Sequence, residues 1–261
     1  MPNIVVLIKQ VPDTWSERKL TDGDYTLDRE AADAVLDEIN ERAVEEALLI
    51  KEAQGGEVTV LAAGPDRANE AIRKALSMGA DKAIHINDPA IHGSDAVQTA
   101  YVLAAALGQV EGVELVIAGN EATDGRAGAV PAIIAEYIGI PQLTHLRKLT
   151  VDGDKIPGER ETDEGVFKLE ASLPAIVSVT EKINEPRFPS FKGIMAAKKK
   201  EVLVFTLADL GVDPETVGVA NAGTKVTGAT PKPARTAGEK IADEGEGGNQ
   251  IASYLIGQKI I

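Results

Sequence analysis

The sequence predicts an α/β protein: a doubly wound, mostly parallel sheet with antiparallel edge strands and a C-terminal extended arm. Three observations carry that expectation. Short β-branched apolar runs recur through the first half, amphipathic stretches separate them, and the composition beyond residue 207 turns rich in Gly, Thr and Pro. Strand alternating with helix requires crossover connections, and crossovers make neighbouring strands parallel.

Residues 4–8, 58–63, 83–86 and 115–118 are each too short for a helix and suit strands buried on both faces. Residues 41–54 repeat Ala43, Val44, Ala47 and Leu48 at helical spacing, with Asn40 as the expected N-cap and Gly55-Gly56 as the stop. Asp66 is expected to cap a second helix carrying Ala68, Ile72, Ala75 and Leu76, closed by Gly79. Ser94 or Asp95 opens a third that runs to Gly108. A fourth follows Gly125 with Ile133, Ile134, Tyr137 and Ile138 on its face. After Pro141, residues 143–151, 168–170 and 175–180 read as strands, with Asp152-Gly153 as a hairpin turn. Their order suggests antiparallel additions to the sheet edge. Residues 1–207 thus form the α/β domain. Residues 208–261 form an arm with too little apolar content to bury a core alone, expected to wrap another subunit.

The chain has 261 residues, enough for a sizeable core, and 44% of them are apolar. One Trp, four Tyr and four Phe leave the core to Val, Ile, Leu and Ala. There is no cysteine, which excludes disulfides, thiolate metal sites and cysteine nucleophiles. A net charge of −14 opposes nucleic-acid backbone and anionic lipid as partners. No apolar run approaches the ~18 residues of a membrane span. Residues 1–10 resemble neither a secretory signal nor a transit peptide, so a cytoplasmic location is expected. One stretch runs against the average: residues 181–200 carry Lys182, Arg187, Lys192, Lys198, Lys199 and Lys200 against Glu181 and Glu185. Such an island is either a docking surface or a solvated face.

The most informative loop runs from Gly119 to Ala129, after a buried strand and before a helix. Ligands of open α/β sheets sit beyond the carboxyl ends of strands. Gly125 and Gly128 allow close approach of an anion, first-turn N–H groups would hold a phosphate, and Arg126 adds charge. A glycine-rich turn without a ligand is the alternative. His85, His92 and His145 lack metal-ligand spacing, and His85 and His145 fall in strand patterns as structural residues. Glu45-Glu46 reads as the solvated face of a helix. No serine has a nucleophile-elbow context, so the chain reads as a binding or carrier subunit rather than a catalyst. Residues 158–165 form a charged turn that leads, through Pro174, into a buried strand. Residues 184–195 hold two prolines, Gly193, Phe188 and Phe191 beside the basic island. They suit an exposed interface anchor, unless the phenylalanines pack on the core.

Many short blocks, in order from the N-terminus to Asp213, resemble the β subunits of the electron-transfer flavoprotein family. They include Lys9-Gln10-Val11-Pro12, Ala43-Val44-Glu45-Glu46-Ala47, Ala75-Leu76-Ser77-Met78-Gly79-Ala80-Asp81 and Arg160-Glu161-Thr162-Asp163. Further on stand Leu173-Pro174-Ala175, Asn184-Glu185-Pro186-Arg187, Ile194-Met195-Ala196-Ala197-Lys198-Lys199-Lys200 and Asp209-Leu210-Gly211-Val212-Asp213. In the arm only Arg235-Thr236-Ala237-Gly238 matches.

The resemblance implies a Rossmann-like, adenine-nucleotide-binding fold and an αβ heterodimer carrying one FAD held mostly by the α subunit. Electrons would come from acyl-CoA and related dehydrogenases, as in fatty acid oxidation, and pass to a quinone-linked acceptor. It also implies a structural AMP in this subunit, held by Leu7, Asp37, Asn40, Ala63, Gly119, Asn120, Thr123, Asp124, Gly125, Arg126, Ala127, Gly128, Ala129 and Val130. By the same resemblance Glu161 helps position the flavin domain. Phe188, Phe191, Ile194, Met195 and Lys198 form the dehydrogenase-docking loop, with Phe191 where an anchoring leucine is usual. Two alternatives stand beside this reading. One is a bifurcating flavoprotein with a second FAD in place of AMP. The other is a stand-alone ATP-binding regulator of the universal-stress type.

Overall fold

A computed structural model of the chain describes residues 2–235, 237–238, 240 and 242–261; Met1 and Thr236, which fall in stretches read above, lie outside the described residues. One sheet runs in the order β11 (Val202–Phe205), β5 (Lys82–Ile86), β4 (Glu57–Ala63), β1 (Asn3–Ile8), β6 (Leu115–Gly119), β10 (Ala175–Val179), β7 (Gln142–Leu149), β8 (Lys155–Thr162), β9 (Gly165–Ser172). The pairings from β11 through β7 are parallel, and β8 and β9 are added antiparallel. A short ribbon of β2 (Gln10–Pro12) and β3 (Ala34–Leu36) stands apart.

Side chains alternate across a strand, so each central strand feeds two cores. Ile4, Val6 and Ile8 of β1 pack on one face with α1 (Glu38–Gln54) and α2 (Asn69–Met78). Val5 and Leu7 pack on the other with α3 (Ala96–Leu107) and α4 (Val130–Ile138). The doubly wound α/β architecture is as expected, with differences in detail.

The late strands are not all antiparallel. β10 is buried along its whole length between β6 and β7 and parallel to both. Its continuous apolar character is that of a central parallel strand. The charged turn of residues 158–165 is instead the meeting of two full strands, β8 and β9, whose tip is Asp163-Glu164. Residues 168–170, expected as a strand, are the middle of β9, whereas Pro157 and Gly158 hid β8.

Helix starts differ too. Asp37, not Asn40, caps α1; Asp66 lies in a short 3-10 turn, Asp66–Ala68, ahead of α2. Asp95 forms a capping box with Gln98 at α3, as one of the two expected openings. The compact unit extends to Thr227, beyond the boundary expected at residue 207, because Leu207, Leu210, Val212 and Val217 are buried against the α3 and α4 side of the sheet. The second unit, Gly228–Ile261, contains α6 (Gly247–Gly257).

Glu45 and Glu46 are buried, which overturns their reading as a solvated helix face. Residues 184–187 cover this part of α1. Arg187 donates to Glu45 through Nε at 2.8 Å and Nη2 at 3.0 Å, and Asn184 Nδ2 donates to Glu46 at 3.0 Å. Burial raises the Glu46 carboxyl above its usual range, the Asn184 bond opposes this, and the Glu45 charge adds to it. The native state therefore binds this proton more tightly than the unfolded chain. The carboxyl's contribution to stability falls as pH rises from the unfolded value, about 4.3, toward the raised native one. Glu46→Gln is expected to match the parent in thermal unfolding at about pH 4 and to gain on it steadily toward about pH 7. A difference that is constant across that range contradicts the assignment.

Candidate functional site

The chain leaves β1 through α1 to reach β4 on one side, and returns from β5 through α3 to β6 on the other. Strand order reverses between β1 and β6, and in open α/β sheets ligands sit beyond the carboxyl ends of the strands at such a switch point. Leu7 pairs with Ala118 at this end, Ala63 closes β4 nearby in the sheet, and Gly119 is the last residue of β6. A Cβ on Gly119 would lie 2.6 Å from Asn40 Nδ2 and 3.0 Å from Ile39 Cγ2. Glycine here is what lets the start of α1 press against the strand end.

Asp37 ties this end of the sheet together. It is fully buried; its Oδ1 accepts from the N–H groups of Ile39 and Asn40 at 3.0 and 3.3 Å, which caps α1. Its Oδ2 accepts from Thr123 N at 2.7 Å and Thr123 Oγ1 at 2.9 Å, which holds the loop after β6. Asn40, freed from capping, instead accepts from Lys9 N at 2.8 Å through Oδ1.

Beyond Thr123 the loop stays irregular. α4 begins at Val130, so residues 125–129 are not a first helical turn as the sequence suggested. Arg126 and Gly128 adopt left-handed conformations, with φ of 50° and 64°, which a helix cannot continue through. Pro131 then sits in the first turn, where its missing N–H costs nothing. Among the described residues no acceptor bonds the N–H groups of Ala127, Gly128 or Ala129. Asn120 N donates to Val179 O at 2.8 Å, but Asn120 Oδ1 is shielded from solvent without a partner.

Asp124 is held by two cations. Its side chain is 2% exposed, with Lys9 Nζ at 2.8 Å and Arg29 Nη2 at 3.0 Å. Burial pushes its carboxyl up, and Lys9 and Arg29 together outweigh that, leaving it below the usual carboxylate range. Arg18 Nη1 donates to Thr123 O at 2.7 Å. Lys9 entered above only within a block of family resemblance, and Arg18 and Arg29 were not singled out from the sequence. Arg18 and Arg29 stand more than ninety positions from their partners, and local patterning carries no signal for such a pairing. Arg126 extends outward, 4.0 Å from Glu121.

The docking candidates occupy a different surface. Phe188 is 93% and Phe191 80% exposed, which removes the alternative that they pack on the core. α5 (Phe191–Ala197) is capped by Ser190, whose Oγ accepts from Gly193 N at 3.1 Å; Ile194 and Met195 are exposed, and exposed Lys198 ends the helix. The basic island divides. Arg187 and Lys200 turn inward and Lys182 Nζ bonds Glu161 at 2.9 Å, while Lys192, Lys198 and Lys199 face outward. Glu161 lies on β8 and is lowered from its usual value chiefly by the Lys182 bond. His85 is buried with Nε2 2.9 Å from Gly64 O, the structural place expected for it.

A family model described as the electron transfer flavoprotein domain matches residues 24–210. The chain is 75% identical over 266 residues to the electron transfer flavoprotein subunit beta of Mycobacterium leprae and 74% to that of Mycobacterium tuberculosis, each match covering 100% of both chains. The chain belongs to the electron transfer flavoprotein β-subunit family. A relative from Acetobacterium woodii, the caffeyl-CoA reductase–Etf complex subunit CarD, is 35% identical over 97% of this chain and 96% of its own. Membership along the whole length overturns the universal-stress alternative and makes the chain an electron-carrier subunit. Among the described residues no helix is long and apolar enough to cross a membrane.

Because one carboxylate of this family member both caps α1 and anchors its β6 loop, Asp37→Ala should cost about 2 kcal/mol in denaturant unfolding. Asp37→Asn, which still caps, should cost less. Amide exchange at Thr123 should accelerate in both. An unchanged unfolding midpoint in the alanine variant contradicts the double role.

Proposed function

We propose that this chain is the β subunit of an αβ electron-transfer flavoprotein in the cytoplasm. One FAD is held mostly by the α subunit, and one AMP is bound structurally at the β1–β6 crevice. Electrons arrive from acyl-CoA and related dehydrogenases and leave to a quinone-linked acceptor. The bound FAD supplies the electron transfer itself; the residues of this chain supply position.

The observation that carries the AMP assignment is the pairing of two opposite needs in one loop. Among the described residues, the N–H groups of Ala127, Gly128 and Ala129 bond no acceptor, and the shielded Asn120 Oδ1 has no donor. A buried acceptor left unpaired costs about 1–3 kcal/mol. Inorganic phosphate would satisfy only the first need. An adenosine phosphate meets both, with phosphate oxygens for the amides and an amine or hydroxyl for Asn120. Leu7 and Ala63 supply the strand-end floor, Asp37 and Asn40 fix the crevice, and Gly119, Thr123, Asp124, Gly125, Arg126 and Val130 shape the loop around it.

Phe188 and Phe191 suit a dehydrogenase-docking hook, rimmed by Lys192 and Lys198 and continued by Ile194 and Met195. Glu161 is proposed to position the flavin domain. The arm of residues 228–261 is proposed to wrap the α subunit. Supporting this, α6 has no buried residue and exposes Ile251, Tyr254 and Ile256.

Heat release of ligands from the co-expressed heterodimer, followed by chromatography, should yield one FAD and one AMP. Two FAD with no AMP would favour the bifurcating alternative, and no adenine compound beyond one FAD would overturn the nucleotide site. Phe191→Ala should weaken coupling to a donor dehydrogenase by about 1–3 kcal/mol without loss of FAD. Unchanged electron transfer from every donor would rule the hook out.

A further inference from the structure

We propose that Arg187, clamped between Glu45 and Glu52 of α1, is the positioning residue that holds Phe188 and Phe191 in one pose before a donor arrives; this rests on the docking reading above. Arg187 spends both edges of its guanidinium on α1. Nε and Nη2 grip Glu45 at 2.8 and 3.0 Å, and Nη1 and Nη2 grip Glu52 at 2.5 and 3.1 Å. Its own N–H donates to Glu45 Oε2 at 3.1 Å, so backbone and side chain are fixed together. Upstream, Asn184 Nδ2 donates to Glu46 and to Arg42 O, and Arg42 donates back to Asn184 O.

The other end is seated on α2. A Cβ on Gly193 would lie 2.4 Å from Ser77 O, so α5 packs on α2 at glycine distance. Arg73 Nη1 donates to Ala197 O and Lys200 O at 2.8 and 2.9 Å, and Lys200 Nζ donates to Leu76 O at 3.0 Å. Residues 188–192 therefore bridge two fixed ends while both of their phenylalanines remain in water. Ordering a residue costs conformational entropy, and a segment that buries so little apolar surface does not recover this by itself. The clamp offsets that cost within the free subunit. Preorganisation of this kind improves binding because the ordering is no longer charged against the encounter. Lysine would replace Arg187 only in part, since an ammonium keeps the charge but does not present two parallel forks.

The test uses the intact heterodimer and a reduced acyl-CoA dehydrogenase, with KM and kcat measured for the flavoprotein as electron acceptor. Arg187→Gln should raise KM about fivefold, the size expected for an interface residue worth about 1 kcal/mol, with kcat within about twofold. Arg187→Lys should fall between it and the parent. Amide exchange across residues 188–192 should accelerate in Arg187→Gln. The decisive reading is the combination with Phe191→Ala: if Arg187 acts by presenting the hook, the double variant has the KM of Phe191→Ala alone. Should Arg187→Gln fail to assemble, Glu52→Gln carries the same test from the exposed end of the clamp, with a rise of about twofold. The proposal is overturned if Phe191→Ala raises KM while Arg187→Gln and Glu52→Gln leave it at the parental value. It is equally overturned if the effects of Arg187→Gln and Phe191→Ala multiply. A flat response to Phe191→Ala removes the docking reading itself, and the clamp's role with it.

Discussion

The buried carboxylate of Asp37 is the interaction on which the arrangement depends. One of its oxygens closes the open N–H groups at the start of α1, and the other holds the Thr123 main chain and hydroxyl. The helix that follows the first strand and the loop that follows β6 are thereby locked in one relation at the switch point. Fully buried, the carboxylate is tolerated only because the bonds of a helix start and a loop start converge on it. The same geometry brings the start of α1 so close to the end of β6 that Gly119 must lack a side chain.

Elsewhere the fold repeats one device, a charged or amide side chain reaching across sequence to fix an irregular segment. Arg18 and Arg29 lay residues 13–33 over the β6 loop, and Arg187 and Asn184 lay residues 184–187 over α1. Removing one partner from such a pair leaves a buried charge unpaired, which costs more than the pair contributes. Irregular segments held in place in this way suit an electron-carrier subunit, whose role depends on geometry.

The parallel core was legible because burial on both faces writes continuous β-branched runs, and because Gly79 and Asp95 punctuate helices in the expected way. The irregular loop between β6 and α4 was legible because glycines cluster after a buried strand at residues 119–128. Direction within the late sheet was not. Residues 175–179 look the same whether their neighbours run with them or against them. Asn40 and Asp37 are both good caps, and only the Thr123 contact from the far end of the domain decides between them. Glu45 and Glu46 misled because a carboxylate pair on a helix is normally solvated, and nothing local announces that Arg187 covers it, 142 positions away.

The most direct test of the proposed nucleotide site is amide NMR of the ligand-stripped heterodimer during titration with AMP. The account predicts saturable shifts centred on Ala127, Gly128, Ala129 and the Asn120 side chain, with inorganic phosphate reproducing only the first three. Saturable binding that leaves these groups unmoved and perturbs another surface would contradict it.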